Sequence, residues 1–522
     1  MDSSGPAAMR PAGLNPVSLV SLEHDFGLRR VRGLAGGDPS VSGITIDGSS
    51  VVQGDLYVGL PGARHHGASF AGQAIEAGAV AILTDDAGML LLDRGMGVPV
   101  LVGTGPLRPL VGALAASVYD TASLDLPVFA VTGTNGKTST THFLEALLTG
   151  MGLVPGVSST AERRIGATVI PSKLTTPESA ELHAIVARMA ELGARSLVIE
   201  VSAHALTRHR VDGFTFDVAA FTNLSHDHLD DYADMDAYLA AKVELFTSAR
   251  SKRAVVNLDT PAGATVVERS EVPVATIATV PVDGEAPHAD WIVEVTEEKL
   301  DHTAFTIRHA VHGSLSARVP VVGRHMAANG GLAIAMLVEA GHSLSEIART
   351  LGPNGLIDAD LPARAVRIPV PTGPAVFIDS GHSPDAFEKT LSSLRRLTTG
   401  RLVAVIGANG DRDTTKRGDM GAAAALGADT VVVTDHHPRG EDPATIRRAV
   451  VDGATSARPG ADVRDIADPS SAIRAAVAEA NEGDIVVWMG LAGKDHRELD
   501  GTTVPFSVPD ETIAALHAAG WH

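Results

Sequence analysis

The sequence contains no cysteine and no long apolar run, and both absences narrow what the protein can do. Without cysteine there is no disulfide framework and no thiolate chemistry. No stretch approaches the ~20 apolar residues that cross a bilayer. The N-terminal segment also lacks the basic start and apolar block of a secretory signal peptide. We therefore predict a cytoplasmic protein with no membrane partner.

Positive charge is also scarce. The chain has 42 lysine and arginine residues against 62 aspartate and glutamate residues, a formal net charge of −20. Nothing supplies a broad basic face for a phosphate backbone, so we predict no nucleic-acid partner. Internal repeats and low-complexity segments are absent as well. A length of 522 residues is too great for one hydrophobic core and predicts roughly three domains.

Short apolar runs separated by helix-like segments organise the chain into three sections. Residues 1–125 contain strand-like runs such as "GDLYVGL" and "AVAILTD" between glycine-rich turns. Residues 126–360 begin with "LPVFAVTG" and alternate strands with helices. Residues 361–522 repeat this alternation with "PAVFIDS", "RLVAVIGA", "DTVVVTD" and "DIVVWMG". The pattern predicts an α/β fold with parallel sheets covered by helices on both faces.

The stretch "AVTGTNGKTSTTHFLEAL" has the context of a phosphate-binding loop, because it follows a predicted strand and opens a predicted helix. Backbone N–H groups of such a loop and the helix N-terminus attract phosphate oxygens. The candidate residues are Gly133, Thr134, Asn135, Gly136, Lys137 and Thr138. Lys137 would reach the β- and γ-phosphates, and Thr138 would bind Mg²⁺. The alternative is a glycine-rich turn with an exposed lysine.

A second candidate is Glu200, at the end of the predicted strand "SLVIE". A carboxylate at the C-terminal end of a neighbouring strand lies where the Mg²⁺ of bound ATP would lie. The alternative is a solvated glutamate at a strand end.

Lys242 lies within an apolar helical stripe in "DMDAYLAAKVELFTSA". The residues that share this face are Tyr238, Leu239, Lys242, Leu245 and Phe246. A lysine at such a position either extends its ammonium to water or loses its charge. The nearby "TNLSHDHLDDY" favours the second reading, because His228 and Asp230 could bind a metal or orient a ligand. A neutral lysine amine can also take up CO₂ and become a carbamate, an anionic oxygen ligand.

Several motifs together resemble the ATP-dependent Mur ligases of peptidoglycan synthesis. In order along the chain they are "GTNGKTS", "EVSAHAL", "TNLSHDHLD", "YLAAKVELF", "GHSPDAF" and "GDRDTTKR". The sequence is most similar to the MurE type, which adds the third residue to UDP-MurNAc-L-Ala-D-Glu. The resemblance implies a UDP-MurNAc-binding domain (1–125), a central P-loop ATPase with a parallel sheet (126–360) and a C-terminal Rossmann-like domain for the incoming amino acid (361–522). It also implies a monomer that uses ATP and Mg²⁺.

The resemblance further implies roles for single residues. Lys137, His228 and Lys242 would be catalytic, with Lys242 carbamylated to support a second metal. The metal-binding positions would be Thr138, Glu200, His228 and Lys242. Further ATP-binding positions would be Asn329, Arg364, Asp379 and His382. The MurNAc-dipeptide would contact Thr175, Thr176, Ser202 and Arg210. The UDP module would use Asp47 and Ser49, although the family often has "DSR" where this chain has "DGS".

The implied reaction suits a site with no nucleophilic serine or cysteine. A carboxylate is a poor acyl donor because oxide is a bad leaving group. Phosphoryl transfer from ATP to the D-Glu side chain would give an acyl phosphate, which the neutral amine of the third amino acid attacks. Phosphate then leaves from a tetrahedral intermediate, and the protein contributes positioning and charge stabilisation.

The acceptor amino acid is predicted from two loops. Relatives that use meso-diaminopimelate usually have "DNPR" and "GKGHE", whereas this chain has "HHPR" and "GKDHR". The candidate acceptor-binding residues are His437, Arg439, Gly493 and Arg497. Arg439 is present and could bind the distal carboxylate of meso-diaminopimelate. Arg497, however, occupies the position of the glutamate that would bind the distal ammonium in those relatives. We therefore expect an acceptor other than meso-diaminopimelate, with L-lysine or a shorter relative as the first candidates. Compensation by Glu498, one position further on, through a shifted loop is left open by the sequence. Neutral change in a loop that still binds meso-diaminopimelate is the alternative.

Two other functions fit parts of the pattern. A folylpolyglutamate-synthase-like ligase would share the phosphate loop, but the N-terminal section resembles the nucleotide-sugar module of the Mur type. A non-catalytic nucleotide-binding protein would have no need to keep Lys137, Glu200, His228 and Lys242 together.

Overall fold

The structure is a computed structural model that describes residues 10–32, 38–170, 174–285, 288–491 and 495–521. The chain divides into two compact units. The first unit comprises Met1–Thr132, Gly152–Ala219 and Glu244–Arg253, and the second comprises Gly133–Met151, Ala220–Val243 and Ala254–His522. The domain boundaries at residues 125 and 360 stay a prediction.

Regular elements follow one another closely along the described residues. Before residue 127 the strands are β1 (Val17–Ser18), β2 (Arg29–Arg32), β3 (Ser40–Val41), β4 (Gly43–Thr45), β5 (Asp55–Gly59), β6 (Ala81–Thr84) and β7 (Val100–Val102). The helices of this section are α1 (Leu19–Asp25), α2 (Ala71–Glu76), α3 (Asp86–Met89) and α4 (Leu107–Val118).

The middle section has the largest number of strands. They are β8 (Val128–Thr132), β9 (Pro155–Ser158), β10 (Arg163–Ile165), β11 (Thr168–Ile170), β12 (Ser196–Glu200), β13 (Phe216–Phe221), β14 (Ser251–Asn257), β15 (Val274–Thr279), β16 (Trp291–Glu298), β17 (Thr303–His309) and β18 (Gly313–Val319). Its helices are α5 (Lys137–Gly150), α6 (Ser179–Glu191), α7 (Ala203–Thr207), α8 (Met235–Val243), α9 (Pro261–Arg269), α10 (Arg324–Glu339) and α11 (Leu344–Ala348).

The last section alternates strands with longer helices. The strands are β19 (Val366–Ile368), β20 (Ala375–Asp379), β21 (Leu402–Ile406), β22 (Thr430–Val433), β23 (Asp462–Asp465), β24 (Ile485–Met489), β25 (His496–Leu499) and β26 (Thr502–Pro505). The helices are α12 (Pro384–Arg395), α13 (Arg417–Gly427), α14 (Pro443–Ala457), α15 (Pro469–Ala478) and α16 (Val508–Ala518).

In the first unit, parallel strands carry the predicted α/β pattern. A five-stranded sheet has the order β2-β7-β6-β5-β4, with β4 to β7 parallel and β2 antiparallel to its neighbour. Strand β12 pairs in parallel with β8 and β9, and β10 and β11 add an antiparallel edge. Helices α4 and α6 pack with the first sheet into one core that includes Leu56, Leu114 and Ala184. Helices cover these strands because parallel strands need crossover connections.

The second unit contains a six-stranded sheet in the order β19-β20-β24-β21-β22-β23. All pairs from β20 to β23 are parallel, and β19 is antiparallel to β20. Successive strand residues face opposite sides, so Phe377 lies in one core while Val376 and Ile378 lie in the other. This burial on both faces explains the nearly continuous apolar runs seen in the sequence. The predicted α/β class is confirmed.

An antiparallel meander in the second unit was missed by the sequence prediction. Strands β16, β17 and β18 pair antiparallel, with Val293 opposite Ile307 and Ile307 opposite Leu315. The available signal was the alternation in "TAFTIRH", where Phe305 and Ile307 are buried and Arg308 is exposed.

Among the described residues, no helix is both long enough and apolar enough to span a membrane.

Candidate active site

Two glycines of the phosphate loop have backbone conformations that other residues rarely adopt. Gly133 has φ +148° and Gly136 has φ +87°. A Cβ atom on Gly133 would lie 1.8 Å from Thr222 Oγ1, and one on Gly136 would lie 2.6 Å from Asn329 Oδ1. Glycine is therefore required at both positions for conformation and for space. Asn329, a predicted ATP contact, packs directly against the loop.

The loop is held by the segment that follows β13. The Thr134 N–H donates to the Asn223 carbonyl at 2.9 Å, and the Asn135 N–H donates to Asn223 Oδ1 at 3.0 Å. The Asn135 carbonyl accepts from Asn223 Nδ2 at 3.0 Å and from Thr222 Oγ1 at 2.6 Å. These contacts fix the backbone of the loop against the segment that follows β13. Sequence reasoning missed Thr222 and Asn223, although both lie inside the quoted motif "TNLSHDHLD".

Lys137 folds back over the loop that precedes it. Its Nζ donates to the carbonyl oxygens of Gly133 at 2.9 Å and Thr134 at 2.8 Å. Gly136 has no side chain to cap helix α5, which is expected where the first N–H groups of a helix bind an anion. The ammonium and these N–H groups therefore sit at one helix start, as the phosphate-loop interpretation requires.

Three more predicted ATP-binding positions are close to one another in the second unit. Arg364 Nη2 donates to Thr138 Oγ1 at 2.9 Å. The Asp379 carboxylate accepts from the N–H groups of Ala365 at 2.8 Å and Gly381 at 2.6 Å. Burial raises the pKa of Asp379, and the Arg364 cation opposes part of that rise. Asp379 thereby holds the backbone that carries Arg364.

The segment "GHSPDAF" also reaches the phosphate loop. Asn135 Nδ2 donates to Asp385 Oδ2 at 2.8 Å and to Ser383 Oγ at 3.2 Å. Ser383 caps helix α12, with proline at the first helical position and Asp385 in the first turn, all favourable start signals. The exposed His382 side chain places Nδ1 3.0 Å from the Ser380 carbonyl. The helix start therefore fixes these residues beside Asn135.

His228 lines a small cavity of about 80 Å³. The other residues that line this cavity are Asp227, Asp230, His382, Gly407, Ala408, Asn409, Arg412, Asp413, Lys416, Met420 and His436. Burial opposes ionisation of Asp227, but the charges of Lys416, His228 and His382 outweigh it and hold the pKa of Asp227 well below its usual value. A carboxylate and imidazoles therefore face one cavity. The roles of His228 in metal binding and of His382 in ATP binding stay predictions.

Lys242 is buried, with 1% of its surface exposed. Helix α8 ends at Val243 and a short 3₁₀ turn continues through Phe246, so the predicted apolar face is confirmed. Lys242 Nζ lies 4.2 Å from the centroid of the Tyr238 ring. Burial, and secondarily the charge of Lys137, lower the pKa of Lys242 well below 10.5, while Asp227 opposes the shift. The alternative of an ammonium extended into water is therefore wrong.

In the first unit, Glu200 is also fully buried, which excludes a solvated strand-end glutamate. Its Oε2 accepts from Thr160 Oγ1 at 2.8 Å. Its Oε1 has no hydrogen-bond partner among the described residues. A buried carboxylate oxygen in that state needs a proton or a cation. Glu200 therefore fits the predicted role of a metal ligand.

The predicted dipeptide-binding residues form one network around Glu200. Thr160 Oγ1 lies 3.1 Å from Thr175 Oγ1, and Thr176 Oγ1 donates to the Glu200 carbonyl at 2.8 Å. The Ser202 N–H donates to Thr176 Oγ1 at 3.3 Å. Arg210 Nη1 donates to the Thr176 carbonyl at 3.4 Å. Thr175 and Thr176 are adjacent, whereas Ser202 and Arg210 lie 26 and 34 residues after Thr176, and folding brings all four to one part of the first unit.

The predicted UDP-binding residues Asp47 and Ser49 line a separate cavity of about 350 Å³ in the first unit. Asp47 Oδ1 accepts from the Ser49 N–H at 2.9 Å and Ser49 Oγ at 2.7 Å, so the carboxylate shapes the turn. Tyr57 also lines the cavity, and burial together with the Asp47 charge raises the pKa of Tyr57 to about 12. Arg108, which sequence reasoning missed, adds a cation to the same lining.

Comparisons with known proteins bear on this arrangement. Three family models match: the Mur ligase family, catalytic domain over residues 40–109, the Mur ligase middle domain over 131–337, and the Mur ligase, glutamate ligase domain over 364–491. The chain is 50% identical over 523 residues to the UDP-N-acetylmuramyl-tripeptide synthetase of Leifsonia xyli subsp. xyli, and 100% of each chain is covered. The chain belongs to the Mur ligase family. It is an ATP-dependent amide ligase of peptidoglycan synthesis, as the motifs predicted.

Other comparisons agree with this family. The chain is 39% identical over 510 residues to the UDP-N-acetylmuramoyl-L-alanyl-D-glutamate–2,6-diaminopimelate ligase of Streptomyces avermitilis, with 96% of each chain covered. A solved structure of a ligase with that name superimposes with a TM-score of 0.64 at 26% identity, covering 97% of this chain and 100% of the other. MurF from Acinetobacter baumannii shares the Mur ligase fold, with a TM-score of 0.66 at 17% identity, covering 92% of this chain and 96% of the other.

The acceptor loops of this Mur ligase are partly described. Arg439 Nε donates to Glu498 Oε2 at 2.7 Å, and Arg439 Nη1 donates to the Gly410 carbonyl at 2.6 Å. His437 Nδ1 accepts from the Glu498 N–H at 3.1 Å. Arg497 Nε donates to the carbonyl of His436 at 3.0 Å, and its guanidinium carbon lies 5.6 Å from the Phe506 ring centroid. Gly493 lies outside the described residues. Glu498, rather than Arg497, is the side chain beside Arg439.

Proposed function

We propose that this Mur ligase adds the third amino acid to UDP-MurNAc-L-Ala-D-Glu through an acyl phosphate. The observation that carries the proposal is the phosphate loop, with Lys137 over it and buried Lys242 in the same unit. This loop lies in a chain with end-to-end similarity to a tripeptide synthetase. The site roles given below are part of the proposal.

In this proposal ATP binds at the start of helix α5. The loop N–H groups and Lys137 hold the phosphates, because a helix start attracts anions. Arg364 adds a second cation next to Thr138, and Asp379 keeps its backbone in place. Asn329 packs against Gly136 and limits how far the loop can move.

Each unit, taken by itself, contains residues that fit bound Mg²⁺. The second unit offers the Thr138 hydroxyl and the His228 imidazole, and the first unit offers the Glu200 carboxylate. The buried Oε1 of Glu200 has no donor among the described residues, which supports a cation there. When bound, Mg²⁺ would neutralise phosphate charge during phosphoryl transfer. A carbamate on Lys242 would form from a neutral amine and CO₂ with loss of one proton, and would add an anionic oxygen.

The chemistry then proceeds in two steps. A carboxylate oxygen of D-Glu attacks the γ-phosphorus, the bond to the β–γ bridging oxygen breaks, and ADP leaves. The neutral amine of the acceptor attacks the acyl carbon, phosphate leaves from the tetrahedral intermediate, and the amine loses a proton. Arg210, Ser202 and Thr176 would hold the dipeptide, and Lys137 would stabilise charge on the transferring group.

Phosphate release tests this proposal. Purified protein should release phosphate from ATP only when UDP-MurNAc-L-Ala-D-Glu and an amino acid are both present. A folate substrate in place of the UDP compound tests the folylpolyglutamate alternative. A nucleotide-binding protein without catalysis would release no phosphate with any substrate pair.

We also propose that the acceptor is L-lysine or a shorter diamino acid rather than meso-diaminopimelate. Arg439 already donates to Glu498 and to the Gly410 carbonyl, so its guanidinium is engaged within the chain. A distal carboxylate on the substrate would have to displace Glu498 or sit beside it, and like charges repel. A distal ammonium would instead be attracted to Glu498. The pair Arg439–Glu498 thus supports an acceptor without a second carboxylate.

A panel of amino acids should separate these acceptors. We expect kcat/KM for L-lysine or L-ornithine to exceed that for meso-diaminopimelate by about 10-fold or more, the scale of one desolvated charge contact. L-Homoserine, which has no distal ammonium, tests whether that group matters. In Glu498→Gln the preference for a cationic acceptor should shrink, with the unchanged ATP dependence as control. A clear preference of the native protein for meso-diaminopimelate would contradict the proposal.

A further inference from the structure

Lys416, in the segment between β21 and α13, is tied to the backbone of His228 through one carboxylate oxygen. Asp227 Oδ1 accepts from Lys416 Nζ at 2.7 Å and from the His228 N–H at 3.0 Å. The side chains of Asp227 and Lys416 are buried, with 8% and 10% exposed. A charge-assisted contact therefore links the two segments in a site sheltered from water.

Contacts on both sides of His228 involve the same segment. The Leu229 N–H donates to Asp413 Oδ2 at 3.3 Å. Asp413 Oδ1 accepts in turn from the Thr415 N–H at 2.9 Å. His226 Nε2 lies 3.1 Å from Thr415 Oγ1. Residues 226, 227 and 229 are thus all held by residues 413–416, some 190 positions later in the chain (Lys416 and Asp227 are separated by 189).

The conformation of His228 makes this support necessary. His228 has φ +58°, in the left-handed region that a residue with a side chain seldom occupies. Such a conformation persists when surrounding contacts determine it, and residues of this kind are concentrated at functional sites. Loss of the Lys416 contact would let the backbone at 227–229 relax to commoner angles and move the imidazole.

We propose that Lys416 is a positioning residue, which acts through Asp227 to hold the His228 imidazole at the cavity that both line. This inference rests on the proposed function of His228 as a Mg²⁺ ligand. Partners that orient metal ligands typically change metal affinity by about 10- to 100-fold when removed. Lys416 is therefore expected to control how tightly the nucleotide site binds Mg²⁺.

The test measures Mg²⁺ dependence without catalysis. Binding of a non-hydrolysable ATP analogue is followed by calorimetry over a Mg²⁺ series in the full chain. Lys416→Met should raise the Mg²⁺ concentration for half-maximal effect by about 10-fold or more, whereas Lys416→Arg, which keeps the charge, should stay within about 3-fold. Hydrogen exchange of residues 226–232 in the metal-free protein should be faster in Lys416→Met. Lys299→Met, at an exposed ion pair, is the matched control and should change neither readout.

A double-variant cycle distinguishes positioning from direct contact with the nucleotide. If Lys416 acts through Asp227, Lys416→Met and Asp227→Asn should each raise the Mg²⁺ requirement, and the double variant should be no worse than either. Additive losses would overturn the inference. The inference would also be overturned if Lys416→Met folds and keeps the native Mg²⁺ dependence and hydrogen exchange. It would likewise be overturned if binding of the ATP analogue to the native protein does not depend on Mg²⁺. If Lys416→Met does not fold, the double variant, which leaves no unpaired buried charge, gives the decision.

The proposed function can fail without the inference failing. If the Lys416 variants show the predicted shifts in Mg²⁺ dependence but the native protein makes no tripeptide, the proposed substrate is rejected and the role of Lys416 is kept. Tripeptide synthesis with unaltered Mg²⁺ dependence in the variants would do the reverse.

Discussion

Replacement of Lys137 by alanine is expected to lower turnover by on the order of 10³-fold or more while the protein stays folded. The ammonium lies over the phosphate loop, 2.9 Å from the Gly133 carbonyl and 2.8 Å from the Thr134 carbonyl. During phosphoryl transfer it would face the negative charge of the transferring group, a contact that no other side chain of the loop can supply. Loss of two exchangeable hydrogen bonds should cost only about 1–3 kcal/mol of unfolding free energy.

The measurement is phosphate release beside a thermal unfolding curve. Lys137→Arg keeps the charge but not the compact shape, so it should recover little activity. Lys252→Ala, which removes an exposed lysine paired with Asp217, is the control and should keep native turnover. A Lys137→Ala protein that unfolds normally and still makes product at the native rate would remove Lys137 from the proposed mechanism.

Loss of the Lys242 side chain should have a comparable effect and should be partly reversible. Lys242→Ala is expected to lose on the order of 10²-fold or more of the activity, because an anionic ligand of the proposed metal site would be absent. Acetate, propionate or another short-chain acid should restore part of that activity by supplying a carboxylate in the vacated space. Labelled bicarbonate should give a carbamate signal in ¹³C NMR of the native protein and none in the variant.

Lys242→Met separates chemistry from folding, because it keeps the apolar stem and removes the amine. In carbonate-free buffer the unfolded chain binds a proton on Lys242 that the folded chain does not. The free energy of unfolding should therefore rise with pH between the lowered pKa of folded Lys242 and its unfolded value near 10.5. Lys242→Met should lose this rise and be more stable near neutral pH, yet inactive. Full activity of either variant, or failure of all acids to rescue Lys242→Ala, would contradict the carbamate.

The sequence by itself determined the local structure of this protein, namely its central strands, its phosphate loop and its family motifs. The apolar runs gave the central strands of both units, because buried parallel strands need continuous apolar residues. Gly133 and Gly136 marked the phosphate loop, since both positions require backbone angles that glycine adopts easily. Six motifs in order identified the family. These features depend on residues close together in the chain, so a pattern within a short window is enough to find them.

Only the tertiary structure determined which functional groups are buried and which residues they contact. The residue spacing was compatible with either a buried or a solvent-exposed side chain for Lys242 and for Glu200. The packing of the chain buries both. Arg364 reaches Thr138 across 226 residues, and Lys416 reaches Asp227 across 189. Burial and long-range contact depend on how distant segments pack, and no local periodicity encodes that. The burial of Lys242, the burial of Glu200 and the support of His228 follow from that packing.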